Sequence, residues 1–155
     1  MTLWSKSRPV IAEEDVKNRG RILVVGDERT ARRSVRLVMT EAGYEVIEAE
    51  GGAEAIETLE AREQPERLLA VICDLEMSGM DGVETIDLVR TGYPFLPVLV
   101  LTGKPDMTLA VSLIKKGIAD YILKPFKPDT LKTAVDKAVT AFGCRAADQL
   151  LSAQL

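Results

Sequence analysis

Four polar residues of this chain each stand at the end of a short apolar run. The run Leu69–Cys73 leads into Asp74, and shorter runs lead into Asp27, Thr102 and Lys124. Continuous apolar runs of this length are typical of strands buried on both faces of a parallel sheet. The carboxyl ends of parallel strands share one edge of the sheet, which is where open α/β proteins bind their ligands. We therefore expect the four side chains to lie close together.

The types of these residues indicate phosphoryl transfer. Asp74 is predicted to be a nucleophile that accepts a phosphoryl group. Lys124 offers a compact positive charge and Thr102 a hydroxyl donor, which together neutralise and position the oxygens of that group. Asp27 and Asp74 would repel each other unless a cation lay between them, and oxygen ligands select Mg²⁺. We predict that the backbone carbonyl of Glu76 is a further metal ligand.

The rest of the pattern predicts the elements that position these residues. Five strands alternate with five helices, which is typical of a doubly wound α/β domain with a five-stranded parallel sheet in the flavodoxin-like order 2-1-3-4-5 and helices on both faces. The alternation in the second strand predicts an edge strand half open to water. The predicted strands are 21–25, 44–49, 69–74, 97–101 and 119–123, and the predicted helices are 29–42, 53–63, 83–90, 107–116 and 129–142.

Glycines and prolines set the predicted boundaries. Gly43, Gly92 and Gly117 follow the first, third and fourth helices, and Pro65 blocks extension of the second. Gly143 is predicted to interrupt the last helix, with 144–155 forming a separate, weakly amphipathic helix. The chain thus divides into a leader (1–19), one domain (20–142) and a C-terminal extension or linker start (143–155).

Apolar residues at helical spacing predict the faces that four of the helices turn toward the core. These residues are Ala31, Val35, Val38 and Ala42 in the first helix; Ala55, Ile56 and Leu59 in the second; Val83, Ile86 and Val89 in the third; and Leu131, Ala134, Val135, Ala138 and Phe142 in the fifth.

Composition excludes several classes of function. Hydrophobic residues make up 46% of the chain, yet no apolar run approaches the roughly 20 residues of a membrane span. We see no secretion signal and expect a cytoplasmic protein. A formal charge of −4 gives no electrostatic footprint for direct binding to nucleic acid or to a membrane. The absence of histidine excludes His-based catalysis and His metal ligands. Cys73, inside the third strand, is predicted to be a buried reduced thiol, and Cys144 is the only other cysteine.

Four stretches in order carry a family resemblance. They are Ile22-Leu-Val-Val-Gly-Asp-Glu28, Val71-Ile-Cys-Asp-Leu-Glu-Met-Ser-Gly-Met-Asp-Gly82, Val100-Leu-Thr-Gly103 and Ala119-Asp-Tyr-Ile-Leu-Lys-Pro-Phe126. From about Gly20 to Phe142 the chain resembles the receiver domain of two-component response regulators.

The resemblance implies a signalling receiver rather than a conventional enzyme, one that catalyses only its own phosphorylation and slow dephosphorylation. A histidine kinase or histidine phosphotransfer protein would phosphorylate Asp74 with Mg²⁺ present. Thr102 would engage the phosphoryl group, and Tyr121 would reorient with it. The fourth helix, fifth strand and fifth helix would then form the output face, which is also the candidate homodimer surface.

Two departures from the family pattern bear on the site. Receivers usually carry two adjacent acids after the first strand, and here the first is Gly26, so we predict weakened Mg²⁺ binding. Ser78 stands where the family commonly has proline. Glu76 and Lys104 occupy positions that in receivers flank the path of the hydrolytic water. We predict that these two side chains pair across the mouth of the site and slow loss of the phosphoryl group, or that Glu76 reaches the water shell of the metal.

Other interpretations stay open at this point. Gly26 favours a degenerate receiver that binds partners without being phosphorylated. A metal-dependent phosphohydrolase is a third candidate, although Glu76 replaces the second acid of a D-x-D pattern. A dinucleotide-binding enzyme lacks its G-x-G-x-x-G turn here. More simply, Asp81 is predicted to cap the third helix, Glu28 to serve the first turn of the first helix, and Tyr121 to be a packed aromatic. A cis bond before Pro125 is a further expectation.

Overall fold

The computed structural model describes residues 19–61, 68–77 and 82–154, and of residues 143–154 it describes the backbone alone. The predicted leader up to residue 18 lies outside these ranges, as do the positions of Pro65, Ser78 and Asp81.

Five parallel strands form one sheet in the order β2-β1-β3-β4-β5, which confirms the predicted topology. Each strand begins and ends within one residue of its predicted boundary. β3 lies in the centre and is almost entirely buried, whereas the edge strand β2 is only partly buried, as its alternating sequence predicts. The strands are β1 Arg21–Val25, β2 Glu45–Ala49, β3 Leu68–Asp74, β4 Val98–Thr102 and β5 Asp120–Leu123.

Five helices connect and follow the strands. They are α1 Arg29–Glu41, α2 Gly52–Ala61, α3 Gly82–Gly92, α4 Met107–Lys115 and α5 Pro128–Gln154. Gly43 and Gly117 adopt positive φ angles of 100° and 93° just after α1 and α4, as expected of helix-ending glycines. The prediction for Gly92 is wrong, because this residue is the last of α3 and its φ is not positive.

The predicted interruption at Gly143 is also wrong. The backbone of α5 continues through this residue to Gln154 as one helix. A glycine inside a helix costs only about 1 kcal/mol relative to alanine, and the alanines, leucines and glutamines that follow are good helix formers. The segment after Gly143 is therefore an extension of the same helix rather than a second one.

The core has two layers, one on each face of the sheet. Alternate strand residues such as Val24 and Ile72 pack with α1 and α5, and their neighbours such as Leu23 and Cys73 pack with α2, α3 and α4. The predicted inward residues of α5, through Phe142, are all buried. Crossover helices on both faces thus bury the sheet and leave its carboxyl edge open for a site.

The inward face of α1 differs from the prediction. Its buried residues are Arg32, Val35 and Met39, whereas Ala31 and Val38 are only partly buried. A pattern of apolar residues misses an arginine whose aliphatic stem is buried while its guanidinium is hydrogen-bonded. In α2 and α3, similarly, Ile56 and Val83 are only partly buried and lie at the rim of the core.

Within the ranges that the structure describes, no helix combines the length and the apolar character that a bilayer span requires.

Candidate functional site

Three of the four predicted side chains occupy the ends of adjacent strands. Asp74 and Thr102 are the last residues of β3 and β4, and Lys124 follows β5 directly. The backbone N–H of Lys124 donates to the Thr102 carbonyl at 2.8 Å, so the hydrogen-bond ladder of the sheet continues past the end of β5. The Lys124 ammonium then reaches Asp74 Oδ2 at 2.9 Å. The parallel sheet itself therefore brings these groups together.

Asp74 is a buried carboxylate with a donor on each oxygen. It is 5% exposed, its Oδ1 accepts the backbone N–H of Glu76 at 3.0 Å, and its Oδ2 accepts the Lys124 ammonium. Burial raises the pKa of Asp74, and the bonds from Lys124 and from the Glu76 N–H oppose that rise. A carboxylate with a raised pKa is a more basic nucleophile, which suits attack on phosphorus.

Glu76 is the most heavily bonded acid of the site. Its Oε1 accepts the Thr102 hydroxyl at 2.9 Å and the Gly103 N–H at 2.7 Å, and its Oε2 pairs with Lys124 Nζ at 2.9 Å. Partial burial works against ionisation, but the bonds from Lys124, Thr102 and Gly103 outweigh it and lower the pKa of Glu76 to about 2. The side chain is thus a fixed negative charge beside Asp74.

Lys124 bridges the two acids. Its ammonium is 2.9 Å from an oxygen of each carboxylate, and its side chain is 24% exposed. Burial alone would lower the pKa of Lys124, yet the bonds to Asp74 and Glu76 raise it, so the lysine stays charged. The Lys124–Pro125 bond is cis, which confirms the expectation from the sequence.

The end of β1 carries a feature that the sequence did not reveal. The Arg32 guanidinium donates to the Gly26 carbonyl at 2.6 Å and to Glu48 at 3.1 Å, and Arg32 is only 8% exposed. A Cβ atom on Gly26 would lie 3.4 Å from Asp74 Cβ and 3.8 Å from Asp74 Oδ2. Position 26 therefore directly faces Asp74, and Asp27, the next residue, is exposed.

The donors at this edge fit a hard divalent cation in type but are few in number. Asp27, Asp74 and the backbone carbonyl of Glu76 offer only oxygen, which Mg²⁺ prefers. Among the described residues no group of three or more acidic, cysteine or histidine side chains is arranged to hold a metal ion. A Cβ atom at position 26 would lie 3.8 Å from Asp74 Oδ2, so a carboxylate at this position would add an oxygen donor beside Asp74.

The predicted pair between Glu76 and Lys104 is replaced by another. Glu76 pairs with Lys124, and the Lys104 side chain is exposed. Lys104 contributes through its backbone instead, because its N–H donates to the Thr102 hydroxyl oxygen at 3.1 Å. The Glu76 carboxylate is pulled inward by three donors, so the mouth of the site carries no bridge between these two side chains.

Tyr121 lies half-buried in β5 and packs against the core layer that contains α3 and α4. Its hydroxyl is buried and has no hydrogen-bond partner within the described parts of the chain. A buried hydroxyl without a hydrogen-bond partner costs free energy in this position.

Cys73 is fully buried next to Asp74. Burial, reinforced by the negative charge of Asp74, raises the pKa of the thiol to about 12. The prediction of a buried free thiol is confirmed for this residue. The Cys144 side chain lies outside the described residues.

Gly82, the first residue of α3, lies against the backbone of Asp74 and Leu75. A Cβ atom there would lie 2.7 Å from Leu75 Cα and 2.9 Å from the Asp74 carbonyl oxygen. Such distances are closer than real side-chain atoms tolerate, so only glycine lets α3 begin at this point.

Comparison with known proteins decides the family. The sequence model described as "Response regulator receiver domain" matches residues 22–136. The chain belongs to the response regulator receiver family. Receiver domains are signalling modules of two-component systems, and members of this family typically bind Mg²⁺.

Named relatives of this receiver domain fall into two kinds. The DNA-binding transcriptional regulator NtrC of Escherichia coli is 34% identical over 124 residues, which are 80% of this chain and 26% of that protein. The chemotaxis protein CheY1 of Helicobacter pylori is 34% identical over 119 residues, 75% of this chain and 94% of that protein. The receiver domain described here thus spans about a quarter of the length of the transcriptional regulators that it matches.

Solved structures agree with the fold. The crystal structure of NtrX from Brucella abortus superposes with a TM-score of 0.77 at 29% identity, covering 85% of this chain and 29% of that one. A response regulator receiver domain protein from Clostridium thermocellum superposes with a TM-score of 0.73 at 26% identity, covering 79% and 95%.

Proposed function

We propose that this receiver domain accepts a phosphoryl group on Asp74 from the phosphohistidine of a histidine kinase or histidine phosphotransfer protein. One observation carries the proposal: Asp74 is 5% exposed at the end of β3, with the Lys124 ammonium 2.9 Å from its Oδ2. A buried carboxylate next to a fixed cation, with a hydroxyl at the end of the neighbouring strand, suits phosphoryl acceptance.

The proposed step breaks one bond and forms another. An oxygen lone pair of Asp74 attacks phosphorus and forms the O–P bond of an acyl phosphate. The P–N bond to the donor's imidazole breaks with its electron pair on nitrogen, and the ring leaves as neutral imidazole because its other nitrogen carries a proton. Lys124 and the Thr102 hydroxyl stabilise the charge on the equatorial oxygens.

Magnesium is the proposed cofactor. Asp27, Asp74 and the carbonyl of Glu76 would hold it, and when bound it would neutralise charge on the phosphoryl oxygens. Gly26 supports weak binding, since the position that faces Asp74 has no carboxylate.

The proposed output is a change of the surface formed by α4, β5 and α5. Thr102 would move toward the phosphoryl group, and Tyr121, whose hydroxyl lacks a partner among the described residues, would reorient with it. Large apolar side chains are exposed on α4 and β5: Met107, Val111, Ile114 and Leu123. This surface would receive a downstream partner or a second copy of the chain.

A degenerate receiver is the second candidate. Gly26 and the engagement of Glu76 with Lys124 and Thr102 favour it, because both reduce what the site offers to a metal and a phosphoryl group. In this case the domain would bind its partner regardless of phosphorylation.

Intact-mass measurement after incubation with Mg²⁺ and acetyl phosphate separates the two candidates. We expect the mass to rise by one phosphoryl group in the wild type and in Asp129→Asn, an exposed acid in the first turn of α5. Asp74→Asn should show no rise. If the wild type gains no phosphoryl group at any Mg²⁺ concentration, while a functional receiver in the same buffer does, the degenerate interpretation stands.

A further inference from the structure

The Glu76 carboxylate holds three hydrogen-bond donors at the carboxyl edge of the sheet. It accepts hydrogen bonds from the Thr102 hydroxyl, the Gly103 N–H and the Lys124 ammonium, at 2.9, 2.7 and 2.9 Å. The three donors come from two different strand ends, β4 and β5. All of them therefore point toward one anion, and in this structure the anion is Glu76.

One of the same donors also contacts Asp74, the carboxylate that would carry the phosphoryl group. Lys124 contacts both Asp74 Oδ2 and Glu76 Oε2 at 2.9 Å, and the backbone N–H of Glu76 is bonded to Asp74 Oδ1 at 3.0 Å. The two carboxylates are thus direct neighbours that share a single ammonium. A phosphoryl group added to Asp74 would bring anionic oxygens to donors that Glu76 already holds.

We propose that Glu76 is an internal competitor for the phosphoryl-binding donors: its carboxylate takes the bonds of Thr102, Gly103 and Lys124 until the phosphoryl group on Asp74 displaces it. This inference rests on the proposed function, since it concerns regulation of the same site. A carboxylate presents two oxygens to charge-assisted donors much as two equatorial oxygens of a phosphoryl group would.

Competition has a measurable consequence. When a site is open in only a fraction of molecules, the apparent affinity of its ligand falls by that fraction. Removing the Glu76 carboxylate leaves the donors open all the time. We therefore expect Glu76→Ala to be phosphorylated by acetyl phosphate roughly tenfold faster than the wild type at saturating Mg²⁺.

Two variants control the interpretation. Glu76→Gln keeps the shape of the side chain but removes its charge. We expect it to be phosphorylated faster than the wild type, by a smaller factor than Glu76→Ala. Glu57→Gln removes the same charge from the exposed face of α2 and should leave the rate unchanged. Equal rates in Glu76→Ala, Glu76→Gln and wild type, or slower rates in the first two, would overturn the proposal.

A second measurement does not depend on phosphoryl transfer. Inorganic phosphate is titrated into each protein while the backbone amide signal of Gly103 is followed by NMR. We expect phosphate to shift this signal at roughly tenfold lower concentration in Glu76→Ala than in the wild type. If the wild type is never phosphorylated and this difference is still seen, only the proposed function fails. If the titrations are identical, the competitor role of Glu76 is wrong.

Discussion

Two carboxylates separated by one residue have opposite electrostatic environments. Asp74 is the more deeply buried, which raises its pKa, whereas Glu76 gains three donors that lower its pKa to about 2. Neighbouring acids whose pKa values are pushed apart usually have different tasks. The more basic Asp74 is suited to attack phosphorus, and the permanently charged Glu76 is suited to hold cations and hydrogen-bond donors.

A single glycine is expected to set the metal affinity. Gly26→Asp places a carboxylate next to Asp74, since a Cβ atom at position 26 makes only ordinary contacts, the nearest at 3.4 Å. We expect Mg²⁺ to bind roughly tenfold more tightly, because affinity for hard cations follows the number of charged ligands. Isothermal titration calorimetry measures this change directly.

The matched control is Gly51→Asp. This glycine has no atom within 4 Å of its hypothetical Cβ, and the substitution alters net charge equally. Its Mg²⁺ affinity should equal that of the wild type. A Gly26→Asp protein that binds Mg²⁺ no better than Gly51→Asp would show that position 26 does not limit the metal site.

The elements position the site through the ends of their hydrogen-bond ladders. Beyond the last residue of β3, the Leu75 N–H still donates to the Leu101 carbonyl at 3.0 Å, and Lys124 is bonded to Thr102 in the same manner. The loops therefore begin as continuations of the sheet. Ligand sites built on such rigid elements hold their side chains more closely than sites on free loops.

The turn between α4 and β5 depends on a glycine conformation. Gly117→Ala should destabilise the fold by roughly 1–2 kcal/mol, because φ there is 93° and a Cβ atom would lie 3.1 Å from Arg90 Nη2. Gly92→Ala, at the end of α3 with no atom within 4 Å, should instead stabilise it by about 0.4–1 kcal/mol. Urea denaturation midpoints compare the two variants, and equal shifts would contradict the role of the positive φ angle.

At the scale of the whole molecule, a set of long-range contacts lies at the edge of the sheet opposite Asp74. Tyr44, just before β2, donates its hydroxyl to Asp136 of α5 at 2.7 Å, and Arg19 lies 3.4 Å from the same carboxylate. The first contact joins residues 92 positions apart in the sequence, and the second joins residues 117 positions apart. They lie at the amino ends of the strands, away from Asp74, and they connect the edge of the sheet to the last helix.

This contact predicts a loss of stability at alkaline pH. Burial, with the bond to Asp136, raises the pKa of Tyr44 from 10.0 to about 12. Between these values the unfolded chain loses the phenolic proton while the folded chain keeps it, so the free energy of unfolding falls as pH rises from about 10 to 12. Urea titrations across this range should show a shallower fall in Tyr44→Phe. An identical slope in both proteins would contradict the assignment.

The sequence predicted the sheet order and the strand ends well because both follow from local signals. An apolar run that leads into a polar residue marks a buried strand and its carboxyl end, and this located Asp74, Thr102 and Lys124. Local signals did not predict the burial of Arg32, because that burial depends on acceptors supplied by Gly26 and Glu48.

The predictions for Glu76 and Gly143 failed for related reasons. Several donors compete for the Glu76 carboxylate, and only the fold determines that Lys124, rather than Lys104, reaches it. The continuation of α5 through Gly143 depends on the whole segment, not on one helix-breaking residue. The partner of a long charged side chain depends on the surrounding fold, and the effect of a single glycine depends on the residues around it. Residue spacing alone predicts neither.

Gly82 has a consequence for anyone who diversifies this protein. Any larger side chain at this position would force the start of α3 away from the Asp74 carbonyl and the Leu75 backbone. The Asp74 carboxylate would be displaced with them. We therefore expect a mutational library to tolerate only glycine at position 82, because the surrounding backbone leaves no space for a side chain.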